Sequence, residues 1–467
     1  MAEKLYGYQR VGTRFLMLTR RAILGDDMGL GKTAQAIIAC GNLDRILVIC
    51  PNTLKGHWKT EINIWAPDRL VSVMQGSHKR KKDAVALFEH GYLMVNIESV
   101  RCPCAKRADG YSPIGSLLNI PWDVIIVDEA HNIKNPESKQ TMGVSLLAAT
   151  TEYVYLLTGT PIMNRVDELW SPLHILYPNR YPFFWPFVKR HTIVYKKRIT
   201  FYSKQRKKKI TKSVWMIDGK PTRPEQLRLE IASVFLRREK EEVFPDMPPK
   251  IYQKIWLDMK GEQLRIYRDI ERAALAQADD GTVVMAAGIE ILAKLTRCKQ
   301  VTVSAGLIGG KPEGVKIDAL LDILHGTDQK VLVFSQFAEA IKLVAEYLEK
   351  EGISHVVFIG ETKEKLRDGV IKCFQTEPGM QVFLTTIQAG GTGITLSAAS
   401  LVVFLDKLWT PAANEQAVDR TRPHMQTKSV QIIELLARNS VDEMIEEVLT
   451  GKVSIIEAVI NKKRRIK

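Results

Sequence analysis

The chain has 467 residues, 45% hydrophobic and 25% charged, an ordinary globular composition that excludes a largely disordered chain. That length allows roughly three domains of about 150 residues, or two large α/β lobes, and cores that need no staples. Lys and Arg number 67 against 52 Asp and Glu, a balance of +15 that points to a polyanion partner, most often nucleic acid. No apolar run reaches the roughly 18 residues of a membrane-spanning helix, so no membrane association is expected. Met1–Tyr6 lack the apolar core of a secretory signal, so secretion is not expected either. Six cysteines, at 40, 50, 102, 104, 298 and 373, are scattered and read as reduced, mostly buried thiols.

Taken in chain order, short runs rich in Val, Ile and Leu recur between helix-like stretches. They are Ile46–Cys50, Leu93–Ile97, Val124–Asp128 and Val154–Leu157, then Val331–Ser335, Val356–Ile359, Val382–Thr385 and Leu401–Asp406. Runs apolar on both faces are buried parallel strands of alternating β/α units. The pattern occurs twice, which predicts two doubly wound lobes. Between the two sets lie an aromatic, proline-rich stretch (Tyr181–Phe187) and a basic block, residues 189–212, with eleven Lys or Arg and no acid. Glu225–Lys240 reads as a helix and Phe244–Pro249 as a linker. The predicted division is therefore a first lobe over 1–245, with a basic protrusion at about 178–245, and a second lobe over 246–467. The second carries a helical insertion at about 258–300, a helix over 441–460 and a basic tail, Lys462–Lys467.

Two segments carry chemistry. Leu24-Gly25-Asp26-Asp27-Met28-Gly29-Leu30-Gly31-Lys32-Thr33 precedes a helical run. A glycine-rich turn opening a helix presents backbone N–H groups and the positive end of the helix dipole to phosphate. Lys32 would neutralise the β- and γ-phosphates and the Thr33 hydroxyl would ligate Mg²⁺. Asp26 stands where the strict phosphate-loop pattern has its first glycine. The second segment, Val124–Val127 followed by Asp128-Glu129-Ala130-His131, sets two carboxylates at the end of a strand, where ligands of open α/β sheets sit. Asp128 would hold Mg²⁺ and Glu129 would polarise the attacking water.

With these motifs the chain resembles superfamily-two helicases, and within them the Swi/Snf-type double-stranded DNA translocases. Their phosphate loop has the Asp-Asp/Glu-Met-Gly-Leu-Gly-Lys-Thr form, which accommodates Asp26. Leu5–Gln9 resembles the adenine-reading segment, with Gln9 as the base contact. Val48–Leu54 with Trp58, Asp128–Asn135, Leu157–Pro161 with Asn164 and Glu168-Leu169, Phe235–Arg238 and Met247–Lys250 resemble successive motifs. In the second half Val333–Phe337, Thr385 with Gln388–Ile394, Trp409-Thr410-Pro411 and Gln416–Arg420 follow in order. The resemblance spans about residues 5–430.

The resemblance implies two RecA-like doubly wound lobes with inserted helical protrusions, and ATP with Mg²⁺ bound between the lobes. Gln9, Asp27, Gly29, Leu30, Gly31, Lys32, Thr33 and Gly393 would contact the nucleotide. Lys32, Asp128, Glu129, Gln416 and Arg420 would carry catalysis, with Arg420 as an arginine finger, and Thr33 and Asp128 would hold the metal. Lys134, Asn135, Asn164, Gln388, Gly390, Gly391 and Trp409 would lie along the DNA backbone, although a large aromatic such as Trp409 serves equally well in a core. One departure stands out: the family's second arginine, three residues after Arg420, is Pro423 here, with Arg422 one position early. The implied activity is ATP-driven translocation on double-stranded DNA without obligatory unwinding. The alternatives are a strand-separating DNA or RNA helicase and an ATP-binding scaffold with weak hydrolysis. The basic block, with Tyr195, Phe201 and Tyr202, is expected to contact DNA. A monomer is expected, recruited by its protrusion, its tail or another protein. It would act in the cytoplasm of a bacterium or of a virus-infected cell, or in the nucleus of a eukaryote.

Overall fold

The computed structural model describes residues 4–102, 113–159, 165–203, 208–279, 285–390, 394, 396–421, 429–447 and 449–450. The chain divides into two compact units, one of residues 1–194 and 217–245, the other of residues 195–216 and 246–453.

The strands, in chain order, are β1 (Arg21–Leu24), β2 (Arg45–Cys50), β3 (Val71–Val73), β4 (Gly91–Asn96), β5 (Val124–Val127), β6 (Tyr153–Leu157), β7 (Thr192–Ser203), β8 (Lys208–Pro221) and β9 (Phe235–Leu236). They continue as β10 (Lys250–Leu257), β11 (Val331–Ser335), β12 (His355–Phe358), β13 (Val382–Thr386), β14 (Leu401–Phe404) and β15 (Val430–Ala437). All eight apolar runs are strands, with ends displaced by at most two residues. The first sheet runs β3-β4-β2-β5-β6-β1-β9 and the second β10-β15-β14-β11-β13-β12, with every pairing parallel. β7 and β8 pair as a separate two-stranded ribbon. The units are two RecA-like parallel-sheet lobes.

Alternation along each strand explains why the runs are continuously apolar. Leu47, Ile49, Leu93, Val95, Ile125 and Val127 enter one core, while Ile46, Val48, Tyr92, Met94, Val124 and Ile126 enter the core on the opposite face. In the second sheet Val331, Val333 and Leu384 face one core, and Leu332, Phe334 and Phe383 the other. Burial on both faces is why these central positions are almost all apolar.

Arg21, at the start of β1, gathers loose ends of the first unit. Its guanidinium donates to the carbonyls of Ala148, Thr151, Ile175 and Leu176 at 2.6–3.0 Å. These are C-terminal carbonyls of the helices Lys139–Ala148 and Trp170–Leu176 and of the turn that follows the first, which lack partners of their own.

Two expectations change. The predicted helix Glu225–Lys240 is a helix only over Pro224–Ile231, followed by β9 and one further turn, Lys240–Val243. β9 adds to the open edge of β1, Ile23 opposite Phe235 and Leu24 opposite Leu236, and this pairing outcompetes continuation of the helix. The basic block starts at the end of the helix Phe184–His191 and continues in the β7–β8 ribbon, with residues 204–207 outside the described residues, whereas the second insertion is helical, over Gly261–Asp279 and Met285–Val303. The helix expected over 441–460 is present where described, at 441–447 and 449–450. The basic tail lies outside the described residues.

Candidate functional site

In the first unit the loop from Gly25 to Gly31 joins β1 to helix α2 (Lys32–Ala39). Gly29 and Gly31 have φ of +82° and +69°, a left-handed conformation that costs an L residue roughly 1–2 kcal/mol. Gly31 is the N-cap of α2, so no side chain covers the first N–H groups of the helix. A Cβ on Gly31 would also lie 2.3 Å from Gln9 Nε2. Lys32 Nζ donates to the carbonyls of Asp26 (2.7 Å) and Asp27 (3.1 Å). Burial pulls its ammonium below the usual lysine range, against the opposing pull of Glu129, Asp26, Asp128 and Asp27. A desolvated cation at an uncapped helix start fits a polyphosphate.

The carboxylates follow β5. Trp58 Nε1, from helix α3 (Lys55–Trp65), donates to Asp128 Oδ2 at 2.8 Å, and Glu129 N donates to Asp128 Oδ1 at 2.8 Å. Burial and the adjacent Glu129 push the Asp128 carboxyl up to about 6, against these hydrogen bonds and the charge of Lys32. Glu129 itself has φ 50° and ψ 51°, a strained setting for a non-glycine residue, and its Oε2 lies 3.2 Å from His131 Nδ1. Two carboxylates and the Thr33 hydroxyl, all oxygen donors, suit a hard divalent cation. Thr158, after β6, is buried and donates its N–H to the Leu24 carbonyl at 3.1 Å. A Cβ on the next residue, Gly159, would lie 3.5 Å from Lys32 Nζ. The parallel strands β1, β5 and β6 thus deliver Lys32, Asp128–Glu129 and Thr158–Gly159 to one sheet edge.

The acids of the loop have a structural task that the sequence reading did not assign. Asp26 is fully buried and paired with Arg238, Nε to Oδ1 at 2.9 Å and Nη2 to Oδ2. Gln35 Nε2 donates to Asp26 Oδ2 at 3.1 Å, and Arg238 also donates to Gln35 Oε1 (2.9 Å) and to the Tyr8 carbonyl. Asp27, expected at the nucleotide, accepts from Arg237 Nη2 (2.8 Å) and from the backbone N–H of Lys240 (3.2 Å). Arg237 reaches on to the carbonyls of Gly25 and Gly159, each at 3.0 Å. The loop is therefore clamped by the segment after β9. Helix α1 (Gly7–Thr19) closes over this network at Gly12, where a Cβ would stand 1.9 Å from Gln35 Oε1.

Gln9 is buried; its Oε1 accepts from Tyr6 N (3.0 Å) and its Nε2 donates to the Leu30 carbonyl (3.3 Å). Its amide ties the N-terminal segment to the loop. Beside it, the rings of Tyr6 and Tyr8 stack at 5.9 Å, and Phe244 meets both edge-on at 6.2 and 5.9 Å. Phe244, read from sequence as linker, is thus part of an aromatic cluster with the N-terminal segment. Leu30 is wholly buried.

The other expected residues fall as follows. Lys134 pairs with Glu168 at 2.8 Å, and Asn135 is exposed, its Oδ1 accepting from Glu137 N at 3.0 Å. In the second unit Gln416 lies on the helix Pro411–Val418 and Arg420 in the turn Asp419–Thr421. Lys250 fixes both elements, reaching Glu415 at 2.8 Å and Asp419 at 3.0 Å. Gln388 is exposed on the short helix Ile387–Gly390, which also holds Gly390. Trp409, expected on the nucleic-acid face, is partly buried and packs against the cluster of Met259, Tyr267, Cys298 and Val441, with Lys299 Nζ 5.8 Å from its ring centroid. Asn164, Gly391, Gly393, Arg422 and Pro423 lie outside the described residues, as do Thr160 and Pro161.

Relatives are similar along nearly the whole chain. The "Uncharacterized ATP-dependent helicase MG018" of Mycoplasma genitalium is 26% identical over 98% of this chain and 42% of its own length. The "ISWI chromatin-remodeling complex ATPase ISW1" of Saccharomyces cerevisiae is 29% identical over 99% of this chain and 41% of its own. The chain spans less than half the length of either protein. A solved structure described as "Sulfolobus solfataricus SWI2/SNF2 ATPase core in complex with dsDNA" is 27% identical, with a TM-score of 0.43, covering 98% of this chain and 93% of that one. The helicase conserved C-terminal domain matches residues 315–423, in the second unit. The SNF2-related domain matches residues 8–307, from the N-terminal helix through the phosphate loop and the carboxylate pair to the helical insertion, and the chain belongs to that family.

Proposed function

We propose that the chain is an ATP-hydrolysing motor on double-stranded DNA. The observation that carries this reading is the convergence of Lys32, Asp128–Glu129 and Thr158–Gly159 on one sheet edge, behind an uncapped helix start. Lys32 and the N–H groups around Gly29–Thr33 would hold the β- and γ-phosphates of ATP. Thr33 and Asp128 would hold Mg²⁺, which neutralises charge building on the phosphates. Glu129 orients the attacking water and accepts its proton at the carboxylate. Tyr6, Tyr8 and Phe244 face the adenine, and Gln9 positions the segment that presents them. Gln416 and Arg420 enter through the family resemblance, as residues of the second unit needed for turnover.

The relatives are named as helicases and remodelling ATPases, and the +15 charge suits a duplex backbone, which is tracked by phosphate contacts rather than by reading bases. The test is ATP turnover with blunt duplex DNA, single-stranded DNA, RNA and no nucleic acid. The wild type is compared with Lys32→Ala and Glu129→Gln. Duplex-stimulated hydrolysis lost in both variants is the expected result. Stimulation by single strands alone would favour a strand-separating helicase. Turnover equal in all three proteins would favour an ATP-binding scaffold.

A further inference from the structure

The β7–β8 ribbon lies outside every motif used above. At its root Val194 and Ile217 pack against the larger core of the first unit, so its base is anchored. Further out on that face the strands pair Lys196 with Trp215, the ammonium 4.9 Å from the ring centroid. The other face carries Ile193, Tyr195 and Val214. Trp215 and Tyr195 are 45% and 47% exposed, and Lys196, Lys197 and Arg198 are exposed beside them. The ribbon thus displays aromatic ring faces next to cations, in a stretch of sequence with eleven Lys or Arg and no acid between 189 and 212.

That combination selects a ligand with flat π faces and a regular row of negative charge. A duplex offers the charge but keeps its base faces stacked out of reach, so the aromatic rings would gain nothing from it. An unpaired strand offers both, because its bases can stack on side chains while its phosphates meet lysine and arginine. We infer that the ribbon is a binding arm for unpaired nucleic acid: Trp215 on one face and Tyr195 on the other each offer a ring to a base, and Lys196, Lys197 and Arg198 hold the flanking phosphates. This inference rests on the nucleic-acid reading above and deepens it, because the arm would direct a duplex motor to junctions where single strands begin.

The test measures binding without ATP, so its outcome is independent of whether the motor hydrolyses. Forked, single-stranded and blunt duplex DNA carry 2-aminopurine, whose fluorescence is quenched by stacking. The wild type is expected to quench the probe in the unpaired arm. Tyr195→Leu/Trp215→Leu, which keeps apolar bulk without ring faces, is expected to weaken fork and single-strand binding by about tenfold or more. Its affinity for blunt duplex and its duplex-stimulated ATP turnover should stay as in the wild type. Tyr195→Phe/Trp215→Phe, which keeps ring faces, should bind forks nearly as the wild type does; this separates stacking from a general folding defect. Equal fork binding by the Leu and wild-type proteins would overturn the proposal. Equal loss on forks and blunt duplex would also overturn it, by making the ribbon a duplex grip. Absence of ATP turnover with intact fork binding would instead count against the motor alone.

Discussion

The clamp on the phosphate loop makes a quantitative prediction. Asp26 is fully buried, and Arg238, 212 residues away, supplies its cation. In Arg238→Met the carboxylate is left in the interior without its paired guanidinium, with Gln35 Nε2 the one remaining side-chain donor among the described residues. Breaking a buried pair from one side costs about 3–5 kcal/mol. For a unit of this size that lowers the melting temperature by about 6–20 °C. The second step is the informative one. Asp26→Gly installs the residue of the strict phosphate-loop pattern and deletes the stranded charge. The double variant Asp26→Gly/Arg238→Met should therefore be more stable than Arg238→Met alone, by roughly 2 kcal/mol after the added backbone freedom of glycine. Calorimetry of the four proteins closes the cycle, with binding of a fluorescent ATP analogue reporting whether the loop has kept its shape. Additive losses, with the double variant worse than either single one, would refute the argument that Arg238 exists to neutralise Asp26.

Three other outcomes are expected. Gly31→Ala puts a Cβ in a left-handed position and 2.3 Å from Gln9 Nε2, so it should weaken ATP-analogue binding at least tenfold while far-ultraviolet circular dichroism is unchanged. His191 is buried at the base of the ribbon, and desolvation lowers its pKa despite Glu230, whose Oε2 is 3.3 Å away. The unfolded chain therefore binds the proton more readily than the folded one, and stability falls as pH drops below the unfolded value of about 6.5. Melting curves of wild type and His191→Gln across pH 5–8 should show a shallower decline in the variant. Duplex affinity should fall linearly in log–log form with salt, by about 0.9 per phosphate contact, and a flat response would remove the electrostatic part of the reading.

How much of this was legible in sequence depended on the range of the interactions. The eight strands show themselves as short runs dominated by Val, Ile, Leu and Phe, most of them buried on both faces. Among the strands that escaped notice, β15 is buried but broken by Gln431 and Glu434, and in others the apolar signal is weak. β10 reads Lys-Ile-Tyr-Gln-Lys-Ile-Trp-Leu and is exposed over much of its length, as an edge strand is; β1 has only four residues. β7 and β8 hide a two-residue period beneath a charge run. Lys32, Asp128 and Glu129 were legible because local spacing carries their chemistry. The roles of Arg237, Arg238 and Phe244 were not, since their partners lie more than two hundred residues away and only folding brings them together.

The strand that launches the phosphate loop has no sheet neighbour close to it in sequence. β1 pairs with β6, where Arg21 meets Val154, and with β9, where Leu24 meets Leu236. A chain leaving the ribosome at about 5–20 residues per second would therefore wait roughly 10–40 s after residue 24 is made before residue 236 emerges. By then β1 can already pair with β6 and Arg21 can reach its carbonyls, but the outer edge of β1 and the Asp26 carboxylate still wait for β9 and Arg238. Synthesis delivers the binding loop early and its clamp late, so the loop's buried acid is the last part of the first sheet to be neutralised.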